Sequence, residues 1–397
     1  MAVAAMALNK GRIMNKLMDW ILRAFRAFDW PLLLILVIFC MLGMTVMHSA
    51  VGGTDWRFAS QARNFLLAFF VMWFVAIIPP SRIMKFAIPL YVVGVLMLVA
   101  VLLVGITNKG ATRWLNIGVT VIQPSEMMKI IVPLMLAWYF DKHRSELRVL
   151  DFLIAGVLLL APFMLIIRQP DLGTGLLVLS TGFFIIYFAG LSFKLIAPVF
   201  VLGVAAIVMI LHYEPVLCGP DFDWVILHEY QKHRVCTLLD PGSDPLGKGF
   251  HTIQGMIAIG SGGLYGKGYM LGTQTHLDFI PERTTDFIFA VFAEEFGLYG
   301  GVMLLLLYTL LLLRGFLITI RARTQFGRLL AGAMTMMLFM YVFVNMGMVM
   351  GILPVVGVPL PFMSYGGTAL VTLGFACGLL MSISNYVPSR KSARSEE

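Results

Sequence analysis

Phe279-Ile280-Pro281-Glu282-Arg283-Thr284-Thr285-Asp286-Phe287-Ile288-Phe289 runs a charged loop straight into an apolar segment of membrane-spanning length. A carboxylate at the mouth of a membrane helix loses hydration that a passive anchor has no reason to give up, so Asp286 marks a functional site. The span it opens is one of many. Apolar residues make up 59% of the chain and charged residues 13%, with a mean hydropathy of +0.89. This is the composition of a polytopic membrane protein.

A hydrocarbon core of about 30 Å takes roughly 20 apolar residues per helix. That criterion predicts an all-α bundle of ten spans at 31–51, 64–79, 83–105, 124–140, 149–167, 172–189, 192–213, 286–313, 329–351 and 361–386. With both termini cytoplasmic, most of the 29 Lys and Arg fall on inner segments, among them Arg82, Lys85, Lys142, Arg148, Arg314 and Arg321. The positive-inside rule therefore fits an even number of spans. The net charge of +8 follows from this bias and from attraction to anionic inner-leaflet lipid, without a nucleic-acid partner. Residues 1–28 read as a cytoplasmic amphipathic tail without a cleavable signal peptide, 29–388 as the transmembrane domain and 389–397 as a cytoplasmic tail.

Between the seventh and eighth spans, residues 214–285 form the one large extracytoplasmic loop. Its aromatic and aliphatic content is too high for a solvated linker, so short helices folded over the bundle are expected there. Cys218 and Cys236 share this loop and can pair in an oxidising compartment. Cys40 and Cys377 sit in apolar spans as small hydrophobes.

Ionisable groups near the membrane gather on the outer side. Lys109-Gly110-Ala111-Thr112-Arg113-Trp114 brings two cations and an aromatic to one boundary, and Gln123-Pro124-Ser125-Glu126 opens the next helix, with Lys129 three residues on. Arg168-Gln169-Pro170-Asp171 and Ser364-Tyr365-Gly366-Gly367 load two further boundaries. The site is thus expected to open outward. Common signatures fail: His228-Glu229 lacks the HExxH spacing, the 260–268 glycines match neither a dinucleotide nor a phosphate loop, and no GxSxG or SxxK occurs. The histidines show no metal spacing.

Each surviving residue admits a plain reading beside a functional one. Glu126 and Lys129 suit either a buried ion pair or substrate binding. Asp171 reads first as a helix cap, and Lys109 and Arg113 as either headgroup-snorkelling or substrate-binding cations. Of Glu294 and Glu295, one is expected to face the polar bundle interior, with pairing as its default. For Asp286 catalysis is preferred over capping, because Thr284 or Thr285 can cap equally well and Phe287, Ile288 and Phe289 exclude water from the carboxylate.

At these residues the chain resembles the SEDS family of polytopic membrane proteins, and within it the RodA branch. The resemblance runs through Arg113-Trp114, Gln123-Pro124-Ser125-Glu126, Gln169-Pro170-Asp171-Leu172-Gly173-Thr174, Leu239-Asp240-Pro241, the 259–264 glycines, the Pro281 to Phe289 block and Pro359-Leu360-Pro361 with Ser364-Tyr365-Gly366-Gly367. It implies ten helices in the bacterial inner membrane, a lipid-exposed cavity on the outer face, and inverting polymerisation of lipid II into glycan strands during elongation, with release of undecaprenyl diphosphate. It also implies Asp286 as the essential carboxylate. Lys109, Arg113, Trp114, Glu126, Lys129, Asp171, Glu282, Arg283 and Ser364 are the candidates for holding substrate, with Mg or Mn as a possible divalent cofactor. Partners implied are the growing strand, a class B penicillin-binding protein and other elongation-complex membrane proteins. Lipid II flipping and a noncatalytic scaffold are the competing readings. The nearly apolar inner halves of the spans argue against a transbilayer path.

Overall fold

The computed structural model describes residues 27–387 apart from 109–110, 117, 119–120, 144–146, 220–231, 233–235, 238, 240–247, 278 and 281. Lys109, the expected amphipathic tail up to residue 26 and the C-terminal tail lie outside the described residues.

Ten long helices form a bundle: α1 (Trp30–Ala50), α2 (Trp56–Ile77), α3 (Ala87–Val104), α4 (Pro124–Lys142), α5 (Val149–Arg168), α6 (Leu172–Phe188), α7 (Phe193–His212), α9 (Ile288–Arg321), α10 (Gln325–Val349) and α11 (Gly367–Ser384). Among the described residues of the long loop, α8 (Lys248–Ser261) is the longest helix, and shorter helical turns occur at Pro80–Ile83, Glu214–Leu217 and Thr273–His276. Seven of the long elements pass a length and hydropathy test for crossing a membrane, and α6 is a shorter apolar helix. The chain is a membrane protein of helical class. Three short strands, β1 (Ile106–Asn108), β2 (Ala111–Asn116) and β3 (Val121–Ile122), form an antiparallel sheet between α3 and α4 that the span pattern did not anticipate.

Predicted and observed helices agree to within a few residues except at α2, α9 and α11, and α9 runs eight residues past the predicted 313. Helix α2 starts eight residues before the predicted 64, capped by Asp55, because Arg57, Gln61, Arg63 and Asn64 interrupt its hydropathy without interrupting its helicity. Residues 361–366, expected as helix, are instead a non-helical turn.

Helix α10 is the central post. Within its apolar window 78% of residues are buried, against 22% and 33% for the peripheral α3 and α2. Helices α2 and α11 meet through a small-residue seam, where β-carbons on Gly374 and Gly378 would lie 2.5 Å from the Ala68 carbonyl oxygen and 2.6 Å from that of Met72. Such close backbone approach suits a bundle that gains little from the hydrophobic effect between helices in lipid.

At the basic end, Arg314 on α9 donates Nε and Nη2 to Asp29 (2.9 and 2.6 Å), Ser384 adds a third hydrogen bond (2.6 Å), and Asn385 donates to Ala27 O (2.8 Å). These contacts close the last helix onto the first. Burial works against ionising Asp29, but the bonds from Arg314, Ser384 and Leu32 N outweigh it and hold the carboxyl below its ordinary range.

The opposite, loop end carries the sheet, α8 and the 350–366 turn. Cys218 and Cys236 are disulfide-bonded there. Helix α8 lies across the start of α9 and the end of α10, with Gly255 in contact distance of Phe287 and of Val349 O. The described α8 part of the long loop thus packs on the bundle.

Candidate functional site

Helix α9 begins at Ile288, with Phe287 in the cap position, where it makes no side-chain cap hydrogen bond. What holds the loop instead is a clamp on three consecutive backbone carbonyls. Thr284 O accepts from Tyr365 N (2.8 Å), Thr285 O from Ser364 Oγ (2.6 Å) and Asp286 O from Asn345 Nδ2 (2.9 Å). A peptide fixed at three successive units cannot rotate, and the Asp286 side chain leaves it in a set direction.

The clamp is itself anchored. Ser364 is 4% exposed; its hydroxyl also accepts from Leu360 N (2.8 Å), which closes a turn in which Phe362 adopts a left-handed φ of 59°. Its carbonyl accepts from the buried Gln61 of α2 (3.0 Å), and Tyr365 Oη shares a hydrogen bond with Ser60 Oγ (3.2 Å). Asn345 donates a second hydrogen bond to Val358 O (2.7 Å). Ser364, a substrate-binding candidate by sequence, is thus buried and engaged in positioning the loop.

Asp286 is half-buried between Thr285 and the buried Phe287. Its Oδ2 sits 3.4 Å from where a β-carbon on Gly357 would stand, and Gly357 has a φ of +75° that a side chain would strain. Glu282 accepts from Thr285 Oγ1 (2.9 Å), and Arg283 donates Nε to Ala50 O at the end of α1 (2.6 Å). Both flanking charges stiffen the Asp286 loop.

A polar cluster adjoins this loop across the 356–358 segment. Gly173, near the start of α6, faces Val356 O so closely that a β-carbon would lie 2.7 Å away. Asp171 caps α6, accepting from Thr174 N (3.5 Å), and receives Gln123 Nε2 and Ser125 Oγ at 3.0 Å each. The capping reading of Asp171 holds, with more partners than a cap needs. Arg113 donates to Pro170 O and places Nη1 3.7 Å from Asp171 Oδ1 while its side chain stays 29% exposed. Trp114, its half-buried neighbour on β2, pairs with Ile106 across the sheet.

Deeper, Lys129 Nζ donates to Glu126 Oε1 (2.6 Å) and to Tyr341 Oη (2.7 Å), and lies 4.9 Å above the Tyr341 ring. Lys129 is 1% exposed, so of its two readings the geometry carries the buried pair, which locks α4 onto α10. Thr174 adds a longer hydrogen bond to Glu126 (3.4 Å). Tyr341 and Asn345 are one turn apart on α10, so one helix carries both the Lys129 lock and the Asp286 clamp. Polar residues inside an otherwise apolar span are the signal that identifies these two, which the sequence reading passed over.

Beyond Asp286, α9 breaks at Gly297, whose φ of 63° and ψ of −162° interrupt its 34 residues. The 263–268 loop inserts there, bonding Leu298 N to Gly263 O (2.9 Å), Tyr299 N to Leu264 O (3.1 Å) and Gly268 N to Glu295 O (3.0 Å). Glu294 is fully buried, paired with Lys267 (2.7 Å) and accepting from Gln274 N and from Thr275 N and Oγ1 (2.9, 3.3 and 3.1 Å). Glu295 accepts from Ser49 Oγ on α1. Both glutamates are engaged. Burial and the Glu295 carboxylate raise the pKa of Tyr269, which shares a 2.8 Å hydrogen bond with His48.

Among the described residues no three His, Cys, Asp or Glu side chains cluster to hold a metal ion. Arg113 and Arg283 both bring positive charge close to the Asp286 loop.

Residues 28–389 match the cell cycle protein family that groups FtsW, RodA and SpoVE. The peptidoglycan glycosyltransferase MrdB of Escherichia coli K12 is 47% identical over 358 residues, 90% of this chain and 94% of that protein. The peptidoglycan glycosyltransferase RodA of Treponema pallidum is 32% identical over 91% of this chain and 99% of its own length. Among solved structures, one described as structural coordination of polymerization and crosslinking by a peptidoglycan synthase complex superposes with a TM-score of 0.73 at 30% identity, covering 90% of this chain and 97% of that one. The rod shape determining protein RodA of Thermus thermophilus gives 0.65 at 28%, covering 90% and 96%. A match over nearly the whole chain, in sequence and in three dimensions, makes this protein a member of the FtsW, RodA and SpoVE family.

Proposed function

We propose that the chain is a peptidoglycan glycosyltransferase that polymerises lipid II into glycan strands during cell elongation, with Asp286 as general base. The observation that carries the assignment of Asp286 is the clamp on the carbonyls of Thr284, Thr285 and Asp286, which fixes a half-buried carboxylate at the loop end. The activity follows its relatives named peptidoglycan glycosyltransferase.

In the reaction the Asp286 carboxylate takes the proton of the acceptor's 4-hydroxyl as that oxygen attacks the donor's anomeric carbon from the face opposite the diphosphate. The new C–O bond forms as the bond to the diphosphate oxygen breaks, the electron pair leaves with undecaprenyl diphosphate, and the anomeric centre inverts. Arg113, exposed beside the α6 cap, stabilises the growing charge on the leaving group through a forked guanidinium. Lys129 sits too deep for direct contact in this arrangement and keeps α4 and α10 in register. A divalent cation bound with the diphosphate would add charge neutralisation, drawing part of its coordination from phosphate oxygens.

The basic ends of the helices face the cytoplasm and the loop end faces outward, in a bacterial inner membrane. The expected partner is a class B penicillin-binding protein that crosslinks the new strand. This is in line with the synthase complex, in which polymerization and crosslinking are coordinated.

Purified protein, with and without that partner, is incubated with labelled lipid II and the polymer resolved by gel. Asp286→Asn is expected to lower turnover by about 100-fold or more while thermal stability is kept, as loss of a general base does. A folded Asp286→Asn variant that polymerises at the unaltered rate overturns the assignment. Lipid flipping without polymer from either form would point to a transporter.

A further inference from the structure

The first turns of α2, before its apolar run, present two different sides. The side turned to the bundle is fixed: Phe58 packs edge-on to His48 of α1 (5.5 Å), Gln61 donates to Ser364 O (3.0 Å), and Asn64 Oδ1 lies 3.2 Å from where a β-carbon on Gly367 would stand. The other side is open. Trp56 is 64% exposed, and Arg57 and Arg63 are exposed with it. Trp56, Ser60 and Arg63 share one helix face by their spacing.

Trp56 and Ser60 both meet Tyr365. The Trp56 ring stands edge-on to that of Tyr365 (6.5 Å, 86°), the Ser60 and Tyr365 hydroxyls share a hydrogen bond (3.2 Å), and the Arg57 guanidinium lies 5.5 Å from the centre of the Trp56 ring. Tyr365 N in turn donates to Thr284 O, two residues ahead of Asp286. The exposed platform therefore shares a residue with the clamp on the Asp286 loop. An aromatic ring beside hydroxyls and guanidinium groups suits a charged carbohydrate: the C–H face of a sugar stacks on the ring, its hydroxyls exchange hydrogen bonds with Ser60, and carboxylates carried on the sugar pair with arginine. An interfacial anchor also uses Trp and Arg at a helix end, but it gains nothing from contact with a residue that holds the Asp286 loop.

We propose that Trp56, Arg57, Ser60, Arg63 and Tyr365 form a glycan-binding platform that holds the newly made strand beside the reacting end, through a sugar ring and the carboxylates of its stem peptides. This rests on the glycosyltransferase reading and adds a product site to it. Each transfer leaves the strand attached to the lipid of the acceptor, so a strand held at α2 stays with the protein between additions.

The probe is a lipid-free glycan hexasaccharide bearing stem peptides, titrated against the full chain in phosphatidylcholine nanodiscs and read by microscale thermophoresis. With no lipid-linked donor present, binding is read apart from turnover. Trp56→Ala is expected to raise the Kd about tenfold, equivalent to about 1.4 kcal/mol, and Trp56→Phe to raise it by less than about threefold. Phe70→Ala, on an exposed part of α2 farther along, should leave it unchanged. Amidating the stem-peptide carboxylates should weaken binding to the unaltered chain about threefold, and binding to the Arg57→Gln, Arg63→Gln double variant not at all. Where Trp56→Ala fails to fold, oxidative footprinting of the unaltered chain decides: bound strand should protect the Trp56 ring, and absence of protection overturns the proposal. An unchanged Kd in folded Trp56→Ala also overturns it, as does equal competition by phosphatidylglycerol vesicles, which would make the patch a lipid anchor. Loss of a crosslinking partner from these variants with strand affinity intact would make it a protein contact and overturn it too. Strand bound at Trp56 by a chain that makes no polymer from lipid II would sink the glycosyltransferase reading alone, and polymer from a chain whose strand affinity ignores Trp56 would sink the platform alone.

Discussion

Asn345→Leu tests whether the carbonyl clamp positions the carboxylate of Asp286, the proposed general base. Leucine is similar in size and keeps the α10 packing, but it removes both hydrogen bonds, at 2.9 Å to Asp286 O and 2.7 Å to Val358 O. Asn345 is fully buried and Val358 nearly so, so water does not replace the lost donors. Each stranded carbonyl costs about 1–3 kcal/mol, which sums to about 2–6 kcal/mol if neither moves. The strain is relieved only by shifting the Asp286 peptide or the 356–358 segment, and both border the site. A displacement of about 1 Å in a reacting group costs about 100-fold in rate. The expected outcome is a kcat lower by about that factor with a KM changed by less than about threefold, together with a lower Tm. The assay is the initial rate of glycan polymer formation against lipid II concentration, run beside thermal unfolding in detergent. A variant with an unchanged Tm and a kcat within about twofold of the unaltered chain would refute the reasoning, because the clamp would then do nothing that α9 does not already do.

Lys129→Met strands the buried Glu126 carboxylate and should destabilise the fold by about 3–5 kcal/mol. Adding Glu126→Gln should recover about 0.5–3 kcal/mol of that in a double-mutant cycle read by thermal unfolding, and strict additivity would count against the pair. Gly297→Ala puts a methyl group 2.3 Å from Gly266 N at a φ of 63°, so it should cost more than about 1 kcal/mol and lower the Tm, whereas Gly301→Ala, which meets open space, should not. The Asp29 pKa is lowered in the folded state, so its contribution is complete above its unfolded value and is lost as pH falls through the folded one. Asp29→Asn should therefore lower the Tm at neutral pH and flatten the acid limb of a Tm against pH curve. An unchanged acid limb would show that Asp29 does not carry it.

Much of the architecture was readable in the chain because lipid imposes a single demand on every span. Apolar runs of helical length located the ten long helices, and the spacing of Glu126 and Lys129 anticipated their ion pair. Where polarity and helicity part company the pattern misled: Arg57 to Asn64 belong to α2 although they are hydrophilic, and Pro361 to Gly366 are apolar enough to resemble helix yet form the turn that holds the clamp. Asp286 stood out by its place in sequence. The reason it stays in place did not, since Asn345, Ser364 and Tyr365 lie 59 residues or more away and act on backbone carbonyls. The part Ser364 plays in holding the loop was hidden on the same account, because a hydroxyl that binds backbone looks in sequence like one that binds substrate. The strands at 106–122 went unseen because they are too short for alternation to register.

The clamp has a consequence for biosynthesis. A chain made from its N-terminus produces Asp286 long before its constraints, for the serine that holds Thr285 follows 79 residues later, immediately ahead of the final helix. Until that helix is made, the Thr284 and Thr285 carbonyls lack their donors and only Asn345 holds the Asp286 carbonyl. A nascent or C-terminally truncated chain would thus carry the proposed base without Ser364 and Tyr365, two of the three donors that hold its loop.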